Sequence, residues 1–321
     1  MKGSTIHYLN SGLIILSCII SFYVPFELFL FAYGVLGPLH YLTEIGWLHK
    51  KNYFTKGKYD YVVLVITCVI MVYYNFNPPK KGLGIIPDLI AFALFTSIAF
   101  VFIKDWLYRA IVIILSVISI AYLNDANNYF IWIGIFLPTI IHVFIFTWLF
   151  MLYGVLKERS VPGLISIIIL IICSVLIFMI QPQNLFYEVS DYTRKSYALF
   201  GELNYRMISF FNMEKITDMK QIYTSNAGFV VMRFIAFAYT YHYLNWFSKT
   251  SVIKWHQVPK MVLAATLIIW ALAVTIYIID YNLGLKVLFF LSFLHVFLEF
   301  PLNIVSFTGI GKEVSALVKR K

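Results

Sequence analysis

Charge is what this sequence has least of. Asp, Glu, Lys and Arg supply 12% of its 321 residues, about half the share of an ordinary soluble chain, which leaves no material for a sizeable soluble domain. Acid is scarcer than base, and the chain carries a net charge of +10. Such a balance would suit nucleic acid if the basic residues formed one face. They sit instead in small groups between apolar runs, where topology-setting charges belong, so nucleic acid is excluded as a partner. Cysteine is nearly absent. Cys18, Cys68 and Cys173 lie singly inside apolar runs, without metal-ligand spacing, and read as small core residues rather than disulfide partners. No low-complexity segment or internal repeat is visible. No cleavable signal is expected either, since Lys2 is the only early charge and no small-residue cleavage site follows the first apolar run.

What the chain does have is hydrophobic length. Apolar residues make up 61% of it, and runs near 20 residues recur from end to end, each long enough to cross a bilayer as a helix. They are too long and too uniformly apolar for barrel strands, and a lipid solvent obliges the backbone to bond within each segment. The expected fold is therefore an all-α, polytopic bundle of about ten transmembrane helices, a single transmembrane domain over 1–321. The spans fall at about 8–22, 26–49, 59–76, 85–104, 107–123, 129–156, 161–180, 226–248, 258–280 and 284–306. The first is short enough to be a half-span. A polar stretch at about 182–225, with Tyr187, Tyr192, Tyr197, Tyr205, Phe210 and Phe211 among its charges, predicts one or two interfacial amphipathic helices outside the membrane.

Ten spans with the N-terminus in the cytoplasm segregate the bases. The inner side receives Lys2, Lys50, Lys51, Lys56, Lys58, Lys104, Arg109, Lys157, Arg159, Lys249, Lys254, Lys260, Lys312, Lys319, Arg320 and Lys321. The short outer loops keep only Lys80, Lys81 and Lys286. This asymmetry obeys the positive-inside rule and places both termini in the cytoplasm of a membrane, expected to be a bacterial inner membrane. The Trp and Lys positions within 47–51 and 246–260 read as interface anchors. Glu27 and Asp88 fall at predicted helix starts, where a carboxylate suits the helix dipole.

Polar groups inside spans are the place to look for function, because a charge at the middle of a membrane helix costs about 2.5–3.5 kcal/mol on insertion scales. Four of the seven histidines lie there: His40, His142, His242 and His295. They sit about 9, 14, 6 and 11 residues from the predicted cytoplasmic ends of four helices that run the same way. At 1.5 Å per residue their depths differ by roughly 12 Å, so they can converge on one centre. In GPLHYLTEIGWL and FLHVFLEFPLN, His40 with Glu44 and His295 with Glu299 are spaced i, i+4 and share a helix face. Four histidines and two carboxylates suit one or two Fe(II) ions with open positions, the ligand type that activates O2 at non-haem iron. The plainer alternative is that each histidine makes a helix–helix hydrogen bond. His7, His49 and His256 sit near cytoplasmic ends and read as interface residues.

At these residues the sequence resembles the bacterial and archaeal membrane β-carotene 15,15′-dioxygenases, the family related to the bacterio-opsin-linked protein. The likeness spans about 35–305. GPLHYLTE, with His40 and Glu44, is similar to the family's Gly-Leu-Pro-His-Gly element with an acid four residues on. IIHVFIFTW, with His142, resembles its Ile-His element but lacks the acid. AYTYHYLNWF supplies His242, with Trp246 where the family has a second histidine. His295 and Glu299 match the last element. The resemblance implies an iron oxygenase that splits the central double bond of β-carotene to retinal. His40, His142, His242 and His295 would be metal ligands and Glu44 and Glu299 catalytic carboxylates. The partners would be the bilayer and a lipid-soluble small molecule. Three rivals use the same residues or none: a b-type haem protein with axial histidines, a proton- or ion-coupled transporter, and a non-catalytic scaffold.

Overall fold

The computed structural model describes residues 3–78, 84–123, 126, 128–182, 187–249, 254 and 257–319. Lys2, Lys80, Lys81, His256, Arg320 and Lys321 lie outside them. Every regular element among the described residues is helical. The helices are α1 Gly3–Tyr23, α2 Pro25–Phe31, α3 Gly37–Lys50, α4 Asp60–Phe76, α5 Ile85–Phe102, α6 Trp106–Leu123, α7 Thr147–Glu158, α8 Val161–Met179, α9 Asp191–Tyr197, α10 Gly201–Phe210, α11 Asn226–Ser248, α12 Lys260–Ile279 and α13 Tyr281–Val318. Two stretches are wound as π-helix: Ala32–Leu36 between α2 and α3, and Phe130–Phe146 before α7.

Among the described residues eight helical stretches are long and apolar enough to cross a membrane, which fits an integral membrane protein. Two of the ten predicted spans fall short of that description. Helix α4 is 17 residues long. Helix α11 has 23 residues, of which 20 are buried; it faces protein on all sides, so it carries polar residues that a lipid-facing helix would not. The first span is longer than the 8–22 expected: α1 runs for 21 residues, long enough to cross fully. The last is longer than expected. Helix α13 has 38 residues, about 57 Å at 1.5 Å per residue; no proline follows 306, and the helix runs on through Gly309 and Gly311.

The chain divides into two compact units, residues 1–40 with 158–286 and residues 41–157 with 287–321. In the first, α11 is the central helix, and α1, α2, α8 and α10 pack on it. Its start is set by Ser225, whose Oγ accepts from the Gly228 amide at 3.0 Å, an N-cap that satisfies an otherwise orphaned donor. Gly228 must lack a side chain, since a Cβ there would lie 2.2 Å from the carbonyl oxygen of Ile222. Pro25 at the first turn of α2 ends α1, as an imide nitrogen cannot continue the ladder. The predicted polar segment holds the short helices α9 and α10 and two 3-10 turns. It is tied to α2 through Glu27, which accepts from the Thr193 hydroxyl at 3.0 Å and from the Tyr187 hydroxyl. Burial, and then the Glu27 carboxylate, push the Tyr187 phenol above its usual range. Cys18 and Cys173 are free and buried. They are nonetheless neighbours, the Cys18 thiol lying 4.0 Å from the Cys173 carbonyl oxygen, a proximity their sequence positions did not suggest.

In the second unit Leu64, Cys68, Met71, Ile90, Ala93, Phe297 and Phe300 form the core. A partly buried ion pair fixes one end. Arg109 donates to both Asp60 oxygens, at 2.7 and 3.1 Å, and to the Ile103 carbonyl at 2.8 Å, while Asp60 also accepts from the Gly57 amide. On α6 only Ser116 and Ile120 of 18 residues are buried, so Ile114, Leu115, Val117 and Ile118 stand exposed. In the first unit α12 buries only Ala273 and Tyr277. Apolar surface on this scale is not left to water.

Candidate metal centre

All six residues singled out as ligands or catalytic carboxylates are buried: His40, Glu44, His142, His242, His295 and Glu299. Burial of this many imidazoles and carboxylates is costly without partners, and the geometry inside each unit brings the histidines and Glu299 into contact.

In the first unit α3 and α11 bring His40 and His242 together. Their Nε2 atoms are 3.1 Å apart and the rings meet edge to face, with centroids 4.7 Å apart. Gly37 permits the approach: a Cβ there would come within 3.3 Å of the Tyr243 hydroxyl, and the Tyr243 ring packs at 5.0 Å from His40. Trp246 does not anchor an interface. It is buried, with its ring perpendicular to His40 at 5.6 Å. The position where the resembled family has a second histidine on this helix therefore touches His40 through an indole, a group that cannot coordinate.

In the second unit His142 Nε2 lies 3.2 Å from His295 Nε2. The far nitrogen of His142, Nδ1, lies 3.4 Å from Glu299 Oε2. The Tyr41 ring covers His295 at 5.8 Å. Glu299 follows His295 by one turn on α13, as the spacing predicted, and it contacts His142 on another helix. Glu44 is buried one turn beyond His40 on α3.

Two of the four histidines owe their placement to irregular helix. His40 follows the π turn Ala32–Leu36, and His142 lies inside the π stretch Phe130–Phe146, four residues after Pro138. Proline removes one backbone donor, and wider winding absorbs that loss. Such π segments recur at functional sites.

The two nitrogen–nitrogen distances admit two uses. Neutral imidazoles at 3.1–3.2 Å can share one proton in an N–H···N bond, a helix–helix link. The same distances are those of neighbouring ligands on one ion: with metal–nitrogen bonds of about 2.1 Å, a right-angled pair is about 3.0 Å apart and a tetrahedral pair about 3.4 Å apart. A carboxylate on the far nitrogen, as Glu299 stands to His142, is the partner that fixes the tautomer of a ligating histidine. The residues that can hold a metal ion are thus buried histidines, His40 and His242 in the first unit and His295, with His142, in the second. His7 and His49 are engaged elsewhere, His7 with Glu158 at 3.2 Å and His49 with the Tyr53 hydroxyl at 3.2 Å. Comparison of the chain with protein-family models, curated proteins and solved structures gave no match.

Proposed function

We propose that this chain is a membrane-embedded non-haem iron oxygenase that uses O2 to cleave a lipid-soluble polyene of the β-carotene type. The observation that carries the reading is the pairing of four buried histidines through Nε2, with Glu299 behind His142. His40, His242, His142 and His295 would present Nε2 to Fe(II). Glu299 would hold the His142 proton on Nδ1 and so keep Nε2 as the lone-pair nitrogen. Glu44, one turn from His40, is the second proposed carboxylate. Iron, when bound, would supply the O2 chemistry. Cleavage of one carbon–carbon double bond by one O2 leaves one oxygen atom on each carbon, so the product is a pair of aldehydes. The setting suits the substrate, because a long polyene partitions into lipid and the apolar helices stand in it. The asymmetry of the loop charges supports both termini on the cytoplasmic side, and the proposed membrane is a bacterial inner membrane.

The geometry gives less to the haem alternative. Axial ligands on opposite faces of one haem iron are about 4 Å apart at bond lengths near 2 Å, more than either observed separation. A proton path keeps one specific observation in its favour, the contact chain from Glu299 through His142 to His295. One experiment separates these readings. Expression in a β-carotene-producing host should bleach the orange colour with retinal appearing, and detergent-purified protein should carry iron without a Soret band. Folded protein that carries no metal and leaves the colour intact would remove the oxygenase reading and leave the proton path. Bound iron with full colour would move the substrate to another polyene.

A further inference from the structure

Arg233 lies eight residues into α11, about 10 Å from its start at 1.5 Å per residue, and is 3% exposed. Its guanidinium sits over the Phe22 ring at 4.7 Å, beside the last residues of α1, and Nη1 donates to the carbonyl oxygen of Ile180, just past the end of α8, at 3.0 Å. Nε has no hydrogen-bond partner. Among the described residues no carboxylate lies within ion-pair distance of it, and residues 183–186, which follow Ile180 and Pro182, are Gln, Asn, Leu and Phe. Here, then, is a buried cation answered by a ring face and one carbonyl. Arginine is always charged, and a buried charge without a counter-ion is costly. Snorkelling does not relieve it, because the head group is inside the protein.

We infer that Arg233 is a binding site for a phosphate group, taken on the side of the guanidinium that carries Nε. An oxyanion there would satisfy the unpaired donor in a two-pronged contact that arginine makes and lysine cannot. Phe22, Ile180 and Arg233 place the site where α1 and α8 end and α11 begins, the end of membrane-crossing helices at which the headgroup of an anionic phospholipid would lie. A free phosphate would offer the same oxygens. This site is independent of the histidines and of the oxygenase reading.

The test uses the full chain, delipidated in detergent, and follows thermal unfolding and native mass spectra. Phosphatidylglycerol should raise the unfolding temperature and remain bound as one lipid per chain, while diacylglycerol with the same acyl chains should do neither. Inorganic phosphate that reproduces the shift alone would identify a free phosphate as the occupant of the same site. Arg233→Gln should raise the lipid concentration needed for half the shift by at least about tenfold, the loss expected for one charge-assisted contact. If that variant fails to fold, Arg233→Lys keeps the charge, loses the two-pronged contact and should weaken binding comparably. Equal shifts with diacylglycerol, no shift with either phosphate source, or unaltered binding in a folded Arg233 variant would overturn the assignment.

Discussion

Replacing Glu299 by glutamine keeps the size of the side chain and removes its charge. The carboxylate oxygen lies 3.4 Å from His142 Nδ1, and both side chains are almost fully buried, at 1% and 2% exposure. In the metal-bound form the contact would be a hydrogen bond from a neutral imidazole to an anion, worth about 1.5–3 kcal/mol where the partner is charged. The glutamine amide oxygen can still accept that proton, so the ring orientation survives in part, but the added basicity at Nε2 is lost. Outer-shell changes of this kind weaken metal affinity by about 10- to 100-fold, or roughly 1.4–2.8 kcal/mol. Folding should change little, because a buried charge is removed and its volume is kept. The assay is competition for Fe(II), held anaerobically, or for Co(II) between the purified protein and a chromophoric chelator, beside a thermal unfolding curve. A Glu299→Gln protein that holds metal as tightly as the wild type would show that Glu299 does not orient a ligand. The His142–His295 contact would then be a helix–helix hydrogen bond.

Three further outcomes follow from the same structure. His40→Ala and His295→Ala should each abolish iron retention and polyene cleavage while the protein still inserts, since alanine makes each helix more apolar; metal analysis of the membrane fraction checks both halves. Asp60→Asn should destabilise the protein by about 1.5–3 kcal/mol, because the partly buried Arg109 guanidinium loses its charged partner. Asp60→Asn combined with Arg109→Met should recover most of that loss in thermal unfolding, and a double variant no more stable than the single would refute the ion-pair account. Reporter fusions after residue 321 and within 190–220 should report opposite sides of the membrane; the same side for both would overturn the charge-based topology.

The helices were legible because a lipid solvent imposes a simple rule, and runs such as VPGLISIIILIICSVLIFM leave nothing else to form. Boundaries set by local chemistry were legible too, as Pro25 at a helix start and Ser160 capping Gly163 illustrate. Apolar length alone could not show which helix lies at the centre. Helix α11 looks like a weak span by composition, and it is weak because its surroundings are protein. The polar run Tyr239–Thr240–Tyr241–His242–Tyr243 and the charge of Arg233 were the available signals of burial; only His242 was singled out, as a site. The contact of Cys18 with Cys173, and the latch from Tyr187 and Thr193 to Glu27, join residues about 150 positions apart in the chain. No periodicity encodes them.

The histidines show where sequence reasoning stops. Depth follows from counting residues along a helix, and that count placed four imidazoles at comparable levels. Which way each one points depends on winding, and a 3.6-residue period holds only while the helix is regular. One π turn adds about a residue, which turns everything beyond it by about 100°. His40 comes after such a turn and His142 lies within a long run of them, so neither direction could be taken from the apolar pattern. The i, i+4 spacing of His295 and Glu299 holds because α13 is α-helical there, and it placed the carboxylate on the histidine face without saying that Glu299 also meets His142. Trp246 carries the same lesson into chemistry. By sequence it fills a position where the resembled family places a ligand. By structure it closes against His40, so the metal proposal for the first unit rests on the His40–His242 pair, with an indole shielding one side of it from water.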